Sequence, residues 1–220
     1  MDFFILFVCY VFFYITVVSF LIICVYRFFT WQTAPKNLEW ELFPLPKNFI
    51  DKAFIMLKEI LFMDLIRNHN KKLWFQSIIM HYGFYLMVIW GFLVILGFNA
   101  SGIGLLASYL MLCGSLLLFL SRLMIKNLRI ISTSKQYFNL IFIFLVSLSF
   151  IFVGFFDIFK SDFLYTILAF NMGNAVMNHN LIFYIAFFAM EIFIIYVPSS
   201  SMVHFFAKYF TWDKIRWGNH

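Results

Sequence analysis

Charge is what this sequence has least of. Only 12% of its 220 residues are Asp, Glu, Lys or Arg, against 64% hydrophobic and 23% aromatic, and 34 residues are phenylalanine. So little polar surface cannot cover a soluble globule, which excludes a water-soluble enzyme or binding module. Cysteine is nearly as scarce. Cys9, Cys24 and Cys113 all lie inside apolar runs and form no CxxC pair, so this chain offers nothing for iron–sulfur ligation or structural zinc. There is no CxxCH either, so any haem would be held non-covalently. No internal repeat and no separate soluble domain can be traced, and residues 1–220 read as a single membrane domain.

What the sequence has instead is length of apolar run. Five runs, about 3–26, 75–98, 103–125, 137–157 and 180–206, each suffice to cross a hydrocarbon core, which takes roughly 20 helical residues. The predicted fold class is an all-α polytopic membrane bundle of five transmembrane helices. The first run is too long for a signal-peptide core and lacks a small-residue cleavage site, so it is expected to be retained as a helix.

The few basic residues set an orientation. All Lys and Arg except Lys160 fall within residues 27–72, 122–135 and the tail beyond 207. Five spans with the N-terminus outside place these three stretches on one face, which the positive-inside rule assigns to the cytoplasm together with the C-terminus. The net charge of +6 is then a topology signal and a contact for anionic headgroups of the cytoplasmic (inner) membrane. It does not point to nucleic acid.

The longest polar interruption is 27–73. Pro35, Pro44 and Pro46 make its first half extended or turned. From about 48 to 67, apolar residues recur between charges as in a helix lying at the cytoplasmic interface, with docking of a partner subunit as the other reading.

Five histidines remain to be placed. His81 stands about six residues into the second run from its cytoplasmic end, and His204 near the cytoplasmic end of the fifth. Two neutral imidazoles reaching one leaflet from different helices suit the axial positions of a haem iron. An interhelical hydrogen bond is the plain alternative for either one alone, and a proton pathway or a metal site stays open for the pair, the latter without a carboxylate or thiol placed beside it. Gly83, Gly91 and Gly114 would let a flat macrocycle approach the backbone, although glycine also serves helix packing in membranes. His179 lies 25 residues before His204, roughly 37 Å along a helix, and cannot ligate the same iron. His69 reads as a solvated loop residue and His220 is terminal.

Two short stretches carry a family resemblance. The "IMHYGF" of the second run, and a fifth-run exit "VPSSSMVH" with proline six and serine four residues before the histidine, resemble the gamma subunit of respiratory nitrate reductase. They are equally similar to the membrane cytochrome b subunits of heterodisulfide-reductase-type and dissimilatory-sulfite-reduction-associated complexes. The resemblance covers most of 75–206 in topology, with motif identity confined to those two stretches. It implies a haem b held by His81 and His204, a membrane quinol or quinone as one electron partner, and a cytoplasmic iron–sulfur subunit as the other. The family's second, outer haem takes histidines where this chain has Gly91 and Ala186. One haem is therefore expected, the alternative being a second held by His179 and a non-histidine group.

Around His204, Pro198 is expected to kink the helix. Ser199, Ser200 and Ser201 would bond freed carbonyls or reach haem propionates. Arg122, Lys126 and Lys208 are candidates to pair with propionates, or else plain inside-positive anchors. Glu191 stands mid-helix, where a charged carboxylate is expensive; it reads either as a proton acceptor near a bound quinone or as a structural carboxyl. The expected role is the quinone-reactive, electron-transfer subunit of an oxidoreductase complex. The alternatives are the cytochrome b anchor of a fumarate or succinate reductase, whose sites draw histidines from more helices, and a haem-free anchor or a transporter subunit.

Overall fold

The computed structural model describes residues 3–4, 7–33, 48–155 and 181–204. The proline-bearing half of the first interruption, the connection 158–179, His179, Lys208 and His220 lie outside the described residues. Within them the chain is helical throughout, with no strand. A π-helical stretch, Phe7–Phe12, runs into α1 (Phe13–Gln32), and α2 (Phe49–Phe62), α3 (Asp64–His69) and α4 (Lys71–Ile95) follow. Then come α5 (Ser101–Met124), α6 (Lys126–Ile131), α7 (Ser134–Phe155) and α8 (Leu181–Ser199), with a 3-10 turn at Ser201–Val203. Five helices are long and apolar enough to cross a membrane: Tyr10–Gln32, Lys71–Ile95, Ser101–Met124, Ser134–Phe152 and Leu181–Ser199. The chain is by this measure a multi-pass membrane protein.

Two of the boundaries differ from those the sequence suggests, each for a local reason. The first helix continues past Arg27 to Gln32 because the guanidinium donates to the Ser199 carbonyl at 3.2 Å, giving the charge a partner. The last ends at Ser199 rather than 206. Pro198 lacks the backbone donor that would continue the ladder, and Ser200 is extended at ψ −178°.

The expected helix over 48–67 is also broken in two. Met63 turns left-handed at φ 48°, between α2 and α3. Three side chains of α4 hold that corner: Tyr85 donates to the Ile60 carbonyl at 2.6 Å, the Trp74 indole donates to the Phe62 carbonyl at 2.6 Å, and the Ser77 hydroxyl donates to the Met63 sulfur at 3.6 Å. The last carbonyls of α2 are satisfied this way although the helix stops. Phe49, Ile50, Phe54, Leu57 and Leu61 stay exposed along α2.

The bundle is assembled through small residues. α4 and α5 lie closest, meeting at Gly83, where an added Cβ would be 2.7 Å from the Met111 backbone nitrogen, and at Gly114, where it would be 2.5 Å from that of Met80. α5 packs on α7, α7 on α8, and α8 on α1. Trp90, Val94, Met111, Ile143, Val146, Phe150 and Phe193 form the core of the α4, α5, α7 and α8 group. A second cluster joins Val8, Tyr10 and Phe13 to Tyr184, Ala186 and Phe187, so α1 is fastened to the bundle through α8.

Candidate functional site

The second and fifth spans approach each other at their histidines. α4 carries His81 in mid-helix and the turn after α8 carries His204, and the two imidazole rings come to 6.1 Å between centroids at 65°. His81 is half-buried and His204 exposed. A second bridge, the parallel stack of Phe84 on Phe193 at 6.1 Å and 11°, spans the same two helices.

Each ring is oriented by its own helix. His81 Nδ1 lies 2.7 Å from the carbonyl of Ser77, one turn earlier, and His204 Nδ1 lies 3.4 Å from the carbonyl of Ser201. The Ser77 hydroxyl also lies 3.4 Å from His81 Nδ1; a carbonyl can only accept, so the 2.7 Å contact is made by a proton on His81 Nδ1. Metal-binding histidines are held by such second contacts.

The donor set argues for a particular class of metal group. Among the described residues no three His, Cys, Asp or Glu side chains gather where a metal could sit. A protein-only tetrahedral site needs three or four donors, whereas a macrocycle that brings four nitrogens needs only one from each side. Two imidazoles on opposite sides of one metal, with bonds of about 2.0 Å, would hold their centroids about 6 Å apart. The observed separation fits that requirement.

The exit turn is fixed from α7. The Tyr196 hydroxyl donates to Asn139 Oδ1 at 2.5 Å, and the Asn139 amide donates to the Ser201 hydroxyl at 3.2 Å. Phe138 and Phe142 pack edge-on against the Tyr196 ring. Ser200 caps the 3-10 turn by accepting from the Met202 amide at 3.1 Å and donates to the Val197 carbonyl, while Ser199 donates to the Ile195 carbonyl. Tyr196→Phe is expected to lower thermal stability by about 1 kcal/mol, since it leaves the carboxamide oxygen of Asn139 short of its donor. Differential scanning fluorimetry on the detergent-solubilised protein reads this.

Other sequence candidates are placed elsewhere. Gly83 and Gly114 are taken up by the contact between α4 and α5, whereas nothing lies within 4 Å of a Cβ built on Gly91. Arg122 donates to Ser132 at 2.8 Å and Gln136 at 3.1 Å, and its carbonyl accepts from Tyr137, so it closes the turn between α5 and α7. Lys126 is exposed on α6. Glu191 shares a helical stripe with Tyr184 and Phe187, which pack against the residues leading into α1.

Sequence reasoning passed over Ser77, Asn139 and Tyr196. A residue one turn before an intramembrane histidine was a readable signal for Ser77; nothing in the sequence paired Asn139 with a residue 57 positions away. No protein-family model and no curated protein matches this chain.

Proposed function

We propose that this chain is the haem b-carrying membrane subunit of a respiratory complex, passing electrons between a membrane quinol or quinone and an iron–sulfur subunit docked on its cytoplasmic face. The observation that carries the reading is the meeting of His81 and His204 from separate spans at a ring separation of 6.1 Å, each with Nδ1 turned to a backbone carbonyl. The two stretches that resemble nitrate reductase gamma-type subunits contain these same two histidines.

His81 and His204 would hold the iron through Nε2, and Ser77 and the Ser201 turn would keep both rings from rotating. When bound, the haem supplies a one-electron centre whose potential depends on its axial ligands and low-dielectric surroundings. Phe84 and Phe193 add an apolar stack between the same two helices. In this reading the N-terminus is outside, and Lys58, Arg67, Lys71, Lys72 and Arg122 line the cytoplasmic rim where an acidic partner surface would dock.

A reduced-minus-oxidised visible spectrum and a haem-to-chain ratio on the purified protein test the reading. A bis-imidazole b-type spectrum at one haem per chain is the expected result. A ratio of two brings His179 forward as a further ligand, and a well-folded protein with no haem overturns the proposal in favour of a haem-free anchor.

A further inference from the structure

Glu191 and Thr16 are both 0% exposed, and neither has a hydrogen bond: the Thr16 hydroxyl and both carboxyl oxygens of Glu191 are buried without a partner among the described residues. For Thr16 this is unusual within its own chain. Thr30, Ser108, Ser132 and Ser147 each donate to the carbonyl four residues earlier, the ordinary resort of a helical hydroxyl. Thr16 does not, and it sits one turn beyond the π-helical Phe7–Phe12, a departure from α geometry that often accompanies functional sites.

The two orphans belong to one place. Phe13 of α1 stacks on Phe187 of α8 at 6.0 Å, and further along Arg27 reaches the Ser199 carbonyl, so these helices run side by side in the same direction. Thr16 is three residues past Phe13 and Glu191 four past Phe187. Counted from Phe13 and Phe187 they are level to within about 1.5 Å, and counted back from Arg27 and Ser199 to within about 4.5 Å. α1 packs chiefly on α8, and Thr16 lies between Phe13 and Arg27, the two α1 residues that reach α8. Leaving three polar atoms unmatched in an apolar interface is costly. A small hydrogen-bonding molecule shared between them removes that cost, and water is the smallest that can bond all three atoms.

We propose that Thr16 and Glu191 form a buried site between α1 and α8 that binds water. Three polar atoms meet the two to four partners an internal water requires. The site gives α1 a polar point of attachment at a fixed register on α8, beyond what the aromatic contacts around Phe13 specify. It does not depend on the haem reading.

Synchrotron hydroxyl-radical footprinting of the whole protein in nanodiscs, in oxygen-18 water, tests this directly. Water trapped in the site is ionised in place and transfers heavy oxygen to adjoining rings, whereas bulk radicals do not reach Phe13 and Phe187, both buried. Heavy-oxygen label on these two rings in the wild type is expected. It should persist in Glu191→Gln and be lost in the double variant Thr16→Val with Glu191→Leu. The shape-conserving Thr16→Val alone, expected to diminish the label, covers a failure of the double variant to fold. Absence of label in the wild type, as a direct Thr16–Glu191 bond would give, or equal label in the wild type and both variants carrying Thr16→Val, overturns the proposal.

Discussion

His204→Ala and His81→Ala, each purified as a folded protein, are expected to lose the b-type spectrum of the wild type completely. The argument is one of coordination number. In the proposed reading the pair supplies one nitrogen from α4 and one from the turn after α8, and no third His, Cys, Asp or Glu gathers with them among the described residues to replace a missing ligand. Adding free imidazole to either alanine variant should restore the spectrum, because the vacated position accepts the same nitrogen donor. That rescue separates a lost ligand from a lost fold. His204→Met should instead retain haem at a raised reduction potential, the direction a thioether ligand imposes. If both alanine variants keep the full wild-type spectrum, the two histidines are merely an interhelical contact and the ligands lie elsewhere.

How far the sequence reached depends on the kind of information each feature carries. The five spans were legible because hydropathy over a window is local, and a Leu- and Phe-rich run has few alternatives in a chain this poor in charge. The histidine pair was legible for a related reason. Depth along a run follows from residue count, and antiparallel neighbours bring residues of one leaflet together. Pro198 marked the end of α8, but the sequence reading carried the helix on to 206 because the apolar pattern resumes at Met202 and Val203. Arg27 is a charge at the expected end of the first span, and the Ser199 carbonyl, 172 residues away, is the partner that lets the helix run on. Met63 gives no signal of its own as a left-handed corner; it is held there by Tyr85, Trp74 and Ser77 of another helix. The glycines show the same limit. Composition says that something approaches Gly83, and only the packing shows that it is Met111.

Gly114 offers the sharpest test of how packing supports the histidine site. A side chain there would place Cβ 2.5 Å from the backbone nitrogen of Met80 and 2.7 Å from its Cα. Backbone cannot rotate out of the way as a flexible side chain can, so Gly114→Leu must force α4 and α5 apart, at a cost of about 3 kcal/mol. Met80 immediately precedes His81, and the displaced segment therefore carries the ring with it. The expected outcome is a lowered melting temperature together with a haem-to-chain ratio well below that of the wild type. Gly91→Ala is the matched control, because nothing lies within 4 Å of the added methyl. On α4, the helix of Met80 and His81, it should be stabilising by up to about 1 kcal/mol, through the better helix propensity of alanine, with haem content unchanged. A neutral Gly114→Leu would show that α4 is not seated on α5 at Met80. Loss of haem in Gly91→Ala would mean that the macrocycle lies against Gly91 rather than at the level of His204.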